Sequence, residues 1–587
     1  MHFDNLMEAL GEFGRYQKVR FFLLCLFSIA SAWHALNMVF IGASPDFHCD
    51  VTAINLSLTP LENLSHSERK ELMIPPDSEC HQYDVMETLN ALSQAAGQWY
   101  SEERNSTHWF MTDDVKMAIP ENVSRTKVAC TNGYVYSRDV YAETLTSEFN
   151  LVCERSFWKS TTKSVFFAGR LCGAVVFGQL SDRFGRRPMF FAGCLMLLVA
   201  GTVASLAPSM AVFLPMYFCQ GAAHTGAFLV AYTLATEMVG PRYRVIAGFV
   251  SQSFYSIGFM TLAGIAFFIR EWRFLEIAIT VPIVLFGLYW WFLPESIRWL
   301  ISRGRDAEAD NILRAAAATN RVRLDNDVVA SLKQDPSMRA TRQYYLVDCV
   351  RTWKMARLSL NVWFNWLVNA LVYYGLSLNT ENLAGNPYLN FCVAGAVEIP
   401  AYAMCILLLN KVGRRGPLIL SMLVGGIACI LSGCIPTGDS GALEILTVIL
   451  AMVGKFGITA SYGIIYLMAA EIFPTVIRNI GMGVASMSAR IGGIVAPLIL
   501  DLQSYSKPLP LVIFGGMSIF AGLLALLLPE TAGKPLAQLP EDMDHGSSCA
   551  DVFSFVKKRK NKSLETVEMT ASSKPLMQST QAETHRF

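Results

Sequence analysis

Twelve apolar stretches, each long enough to cross a bilayer, set the tightest limit on what this chain can fold into. They lie near 19–43, 163–181, 189–207, 211–236, 245–268 and 274–293, then near 358–378, 388–409, 417–435, 443–470, 479–503 and 508–528. A hydrocarbon layer about 30 Å thick is spanned by about 20 residues of helix. A helix also satisfies its own backbone groups where no water can. Only 16% of the 587 residues are charged, against about a quarter in soluble proteins. The net charge of +1 gives no bias towards nucleic acid. The expected class is therefore an all-α membrane protein, with its helices in two groups of six. The first stretch has no small-residue cleavage site behind it and is too long for a signal peptide, so it reads as an uncleaved anchor.

The parts follow in order. An N-terminus (1–18) leads into a first bundle (19–293) with a large loop at 44–160. A linker with short helices (294–357), a second bundle (358–528) and a polar, mostly disordered tail (529–587) complete the chain. Two signals orient it. Asn55, Asn63, Asn105 and Asn122 open Asn-x-Ser/Thr glycosylation acceptors in the large loop, and such acceptors belong outside the cytosol. Cys49, Cys80, Cys130 and Cys153 share that loop and suggest two disulfides, with three pairings open. Lysine and arginine crowd the opposite side, at Arg15, Lys18 and Arg20, at Arg183 to Arg187, at Arg298 to Arg305, and in KKRKNK at 557–562. This positive-inside pattern places both termini in the cytosol, and the expected location is the plasma membrane, crossed many times.

The chain also repeats itself. TLATEMVGPRYR (233–244) matches LMAAEIFPTVIR (467–478), SDRFGRRP (181–188) matches LNKVGRRGP (409–417), and LPESIRWL (293–300) matches LPETAGKPL (528–536). Three matched pairs in order mark a duplicated six-helix half. Parallel halves with a central binding site are the plan of one class of secondary transporter. Asp182 and Arg186, Glu237 and Arg244, and Glu471 and Arg478 sit at helix ends on the basic side. Charges that pair in one state and separate in another make a gate.

GQLSDRFGRR, PESIRWLISRGR (294–305), AEIFPTVIRN (470–479), GEFGRYQ (11–17) and the long glycosylated loop resemble the major facilitator superfamily. Within it they resemble the organic cation, carnitine and organic anion transporter family, over roughly residues 10 to 545. The resemblance implies twelve transmembrane helices in two bundles that move substrate by alternating access. Two departures bear on the gate: Tyr217 stands where the family usually has arginine, and Asn410 where aspartate is common.

Away from the ends of the apolar stretches, few charges occur: Arg170, Glu398, Lys455 and Arg490. Each must face a partner or a cavity rather than lipid. Arg490 offers a planar fork for a carboxylate, and Lys455 adds a point charge. By resemblance, carriers of pure cations have an acid at the position of Arg490, whereas carnitine-type and anion-type members have arginine. Glu398 corresponds to a residue that helps bind onium groups, and Phe228, Tyr373, Tyr462 and Tyr466 match cavity positions. Two roles stay open for Glu398, an ion pair with Lys455 or Arg490 and a contact to substrate. Arg170 either pairs with a carboxylate or binds substrate, and His34 and Asn37 either line the cavity or bond a neighbouring helix. The expected substrate is a small zwitterion, such as carnitine, a betaine or β-alanine, or an organic cation; an organic anion is the alternative.

No phosphate-cradling loop supports an ATP-driven pump, no metal-ligand spacing occurs, and no enzyme signature stands out. No cofactor is expected, and coupling to Na+ or H+ is left open. A receptor that binds without transport is the distant alternative, and paired gate motifs argue against an open channel.

Overall fold

The computed structural model describes residues 6–8, 10–52, 66–76, 78–88, 90, 125–240, 243–323, 345–436, 441–474 and 476–532. The four glycosylation acceptors, the basic cluster and nearly all of the tail lie outside the described residues, as does the side chain of Arg244. Long helices follow the apolar stretches. The first bundle contains α1 (Arg15–Leu36), α2 (Phe157–Phe184), α3 (Arg186–Ser205), α4 (Met210–Glu237), α5 (Arg244–Phe268) and α6 (Trp272–Thr280). The second contains α7 (Trp353–Leu378), α8 (Pro387–Ala396, resuming as Glu398–Val412), α9 (Arg415–Cys434), α10 (Gly441–Ile472), α11 (Arg478–Asp501) and α12 (Leu509–Leu524).

Among the described residues, ten helices are long and apolar enough to cross a membrane. The remaining two, α4 and α7, are as long but carry polar residues on buried faces. Asn361, Asn365 and Asn369 form one such stripe on α7, four residues apart. Asn365 donates to Asn361 Oδ1 at 2.8 Å, and Asn369 donates to the Asn365 carbonyl at 2.8 Å. Leu195, Leu285, Leu407, Leu420 and Ile449 point outward, each more than half exposed. An apolar exterior around a polar interior is what a bilayer selects.

Glycines set the helix spacing within a half. A Cβ on Gly173 of α2 would come within 2.2 Å of the Ala222 carbonyl on α4, and one on Gly169 within 2.1 Å of the Phe218 carbonyl. Small residues are what let membrane helices approach this closely.

The large loop begins and ends on two short antiparallel ribbons. Strand β1 (Phe47–Cys49) pairs with β4 (Tyr134–Tyr136), and β2 (His81–Tyr83) pairs with β3 (Lys127–Ala129). The disulfides join Cys49 to Cys130 and Cys80 to Cys153, which selects one of the three pairings. Beyond the opposite end of the bundle, helices Ile297–Ser302 and Asp306–Asn320 pack on Leu6, Met7, Leu10 and Tyr16.

Candidate functional site

Tyr373 and Tyr374 are neighbours on α7, so their rings point about 100° apart. They face two different cations. Tyr373 lies under Lys455 of α10, whose Nζ is 3.4 Å from the ring centroid. Lys455 Nζ is also 3.0 Å from Glu398 Oε1, at the restart of α8, and donates to Ser377 Oγ at 2.5 Å. Ser256 of α5 donates to Glu398 Oε2 at 2.6 Å. Both ionised side chains are sealed, Lys455 at 2% exposure and Glu398 at 0%. Such a pair is sustained only when both partners and their hydrogen bonds are present. Of the roles open for Glu398, this arrangement has it paired with Lys455, not with Arg490.

Tyr374 faces Arg170 of α2. Arg170 Nη1 donates to Tyr374 Oη at 2.8 Å, and its Nε donates to Thr225 of α4 at 3.2 Å. Arg490 of α11 donates to the Ser486 carbonyl at 2.7 Å and to Ser486 Oγ. Its Nε is buried without a partner. The two guanidinium groups lie within electrostatic reach of each other and of Tyr462, and Arg490 also of Tyr466. Among the described residues, neither has a carboxylate within ion-pair distance. Rings complete the wall. Phe228 is 6.2 Å from Tyr255, Tyr232 is 6.2 Å from Tyr466, and Trp366 is 5.1 Å from Tyr466. Arg170 and Arg490 are only half-buried, and Tyr466 is exposed, so this part of the core is open.

The eight residues expected to bind substrate therefore divide into two sets. Lys455, Glu398 and Tyr373 form a closed ion pair with its ring. Arg490 and Arg170 lie with Tyr462, Tyr466 and Phe228 in the aromatic cluster, without a carboxylate partner among the described residues. Tyr374 and Trp366 also belong to that cluster, and sequence reading passed them over because aromatic residues abound in membrane helices.

The charged turns are built alike in the two halves. Gly185 and Gly413, at φ of +105° and +100°, separate α2 from α3 and α8 from α9. After each glycine an acid from the end of the half caps the next helix. Glu295 accepts from the Arg186 amide at 2.9 Å, and Glu530 accepts from the Arg414 amide at 2.9 Å. The arginine side chain then reaches the fourth helix of its half. Arg186 lies 3.9 Å from Glu237 and 2.6 Å from Asp182, and Arg414 lies 3.2 Å from Glu471. Arg478 donates to the Phe473 carbonyl at 3.2 Å. Glu295, Glu530 and Arg414 are further members of this network. The repeated LPE and GRR motifs carried that signal.

The halves meet at the loop end. Lys163 and Lys159 of α2 lie 2.8 and 3.2 Å from Glu381, just after α7. Ser160 donates to Asp501 at 3.1 Å, and Ser164 to the Ile494 carbonyl of α11 at 2.8 Å. The ion pairs named for the charged turns at the other end each join residues of one half, whereas further cross-half bonds, Arg170 to Tyr374 and Ser256 to Glu398, lie nearer the middle of the helices.

Residues 107–543 match the family model described as sugar (and other) transporter. An organic cation transporter protein of Drosophila melanogaster is 42% identical over 92% of this chain and 94% of its own length. The organic cation/carnitine transporter 2 of Homo sapiens is 34% identical over the same shares. Among solved structures, the xylose transporter XylE from E. coli, in a partially occluded inward open conformation, covers 89% of this chain and 100% of its own. That likeness, with a TM-score of 0.57 at 15% identity, is one of fold. The matched family is one of transporters, not enzymes. The chain spans the membrane and belongs to the organic cation, carnitine and organic anion transporter family, solute carrier family 22, of the major facilitator superfamily.

Proposed function

We propose that this chain is a plasma-membrane secondary carrier for small organic solutes bearing a carboxylate, foremost carnitine-like or betaine-like zwitterions. One observation carries the reading: Arg170 and Arg490 share an aromatic cluster, and among the described residues neither is matched by a carboxylate. Two uncompensated cations in a low-dielectric site repel a pure cation and favour an anionic group. Arg490, with an unpartnered Nε, is the natural fork for the carboxylate. Tyr462, Tyr466, Phe228 and Trp366 offer ring faces to an onium group. The names of the relatives, organic cation and carnitine transporters, support a substrate with a cationic end. A second reading, an organic anion, rests on Glu398, whose carboxylate is already taken by Lys455. The two closed charged turns act as gates, the large loop lies outside the cell, and both termini lie in the cytosol.

Uptake of labelled carnitine, β-alanine, tetraethylammonium and para-aminohippurate into expressing cells tests this. Carnitine or β-alanine enters wild type, and Arg490→Asp at equal surface level loses about 10- to 100-fold, the worth of a charge-assisted hydrogen-bond pair. Tetraethylammonium uptake unchanged by Arg490→Asp would overturn the carboxylate reading. Strong uptake of para-aminohippurate alone selects the anion reading.

A further inference from the structure

A second acid is buried in the first bundle, and nothing above uses it. Glu276 of α6 is fully buried. Its Oε2 accepts from Asn37 Nδ2 at 2.7 Å and its Oε1 from Gln220 Nε2 at 2.5 Å. Both donors are neutral amides. Tyr217 donates to Asn37 Oδ1 at 2.9 Å, which holds that amide in place. Gln220 Nε2 also lies 2.9 Å from His34 Nδ1. Asn37, Gln220 and His34 are themselves fully buried, and both Gln220 Oε1 and His34 Nε2 lack a partner.

The neighbouring helices supply no cation to this acid. Among the described residues, the titratable group from α1 is His34, reached through Gln220, and from α4 it is Tyr217. On α6 itself, Arg273 is committed to Glu148 at 2.5 Å. From α3, Gly201 meets Thr280. An ionised carboxylate sealed among neutral donors costs several kcal/mol, and taking up a proton removes that cost. The unpartnered Gln220 oxygen is positioned to serve the protonated form. Turned over, the amide accepts from the new Glu276 O–H and from His34, whose single ring proton then sits on Nδ1 instead of Nε2. The Glu276–Gln220–His34 hydrogen bonds can thus be made in either protonation state, with the amide and the imidazole tautomer reversed between them. It also leads towards the cavity. His224, one turn beyond Gln220 on α4, bonds Ser31 of α1 at 2.7 Å and lies within electrostatic reach of His34 and Arg170.

We propose that Glu276 is a proton-binding site that links the transport cycle to the pH gradient, with Gln220, His34 and His224 as the path between it and the Arg170 cavity. This rests on the carrier reading above, but its first test does not require a substrate. Infrared pH-difference spectra of the purified full chain in liposomes should show a protonated-carboxyl C=O band that titrates in wild type and is missing in Glu276→Gln. If Glu276→Gln does not assemble, Glu276→Asp must shift that band. A band unchanged by either substitution overturns the proposal, whatever is transported. The second test uses the same liposomes with labelled carnitine, tetraethylammonium and para-aminohippurate under an imposed gradient of one pH unit. One coupled proton changes accumulation of the transported probe by up to roughly tenfold, and Glu276→Gln should reduce that response to less than twofold. An equal response in wild type and variant overturns the coupling. A Glu276 band with no probe transported supports the site and counts against the substrate reading instead.

Discussion

Removing Lys455 should be worse for this protein than removing both Lys455 and Glu398. The two charges are 3.0 Å apart, an attraction of about 5 kcal/mol at an effective dielectric of about 20. Desolvation of both groups offsets most of it, so the pair contributes little net stability as a pair. Stranding one member is different and costs about 3–5 kcal/mol. Lys455→Met leaves Glu398 with one hydroxyl donor, Ser256. Glu398→Gln leaves Lys455 with Ser377 and the face of Tyr373, and a desolvated cation over a ring recovers up to about 2 kcal/mol. The expected order of damage is Lys455→Met, then Glu398→Gln, with the double variant mildest and a coupling of about 3 kcal/mol. Unfolding of the purified chain by SDS titration gives all four corners of the cycle. Additive costs, with the double variant the least stable, would refute the buried pair. Uptake by the double variant adds a second readout. If Glu398 only balances Lys455, carboxylate probes still enter.

Three further outcomes are expected. Glu381→Gln removes the carboxylate that holds the nearly buried Lys163, so the loop end opens more often; a cysteine introduced at Phe167 should react several-fold faster with an impermeant thiol reagent, and an unchanged rate would count against this gate. Gly173→Leu forces a side chain into the Ala222 backbone and should abolish the folded, surface-expressed carrier, whereas Gly264→Leu, with open space at its Cβ, should be tolerated. Peptide mapping without reduction should recover Cys49 with Cys130 and Cys80 with Cys153, and Cys49 joined to Cys80 would contradict the ribbon arrangement.

Much of this architecture was legible because each signal was local. An apolar run of 20 residues declares a span by itself, and motifs recurring some 230 residues apart declare a duplicated half. Partners were harder to read. Glu398 and Lys455 lie on different helices, and only the rotation of α8 and α10 decides that they meet each other rather than Arg490. Glu276 escaped notice because WRFLEIAIT begins beside Glu271 and Arg273 and reads as the wet end of a span; packing by α1 and α4 is what buries it. Helix α2 begins at Phe157, ahead of the apolar run starting at 163. Its first turns precede that run and hold Lys159 against Glu381. Glu381 itself follows the seventh stretch, where its charge looked like ordinary solvated loop.

The glycine contacts between α2 and α4 have a consequence for leakage. With the Gly173 position pressed against the Ala222 backbone and Gly169 against Phe218, these helices have no slack to slide past one another. A half so tightly joined tilts as a block. In the proposed carrier cycle, the loop end and the arginine end would then behave like opposite ends of a seesaw. Such a coupling would keep both ends from opening at once, so that the membrane is not short-circuited.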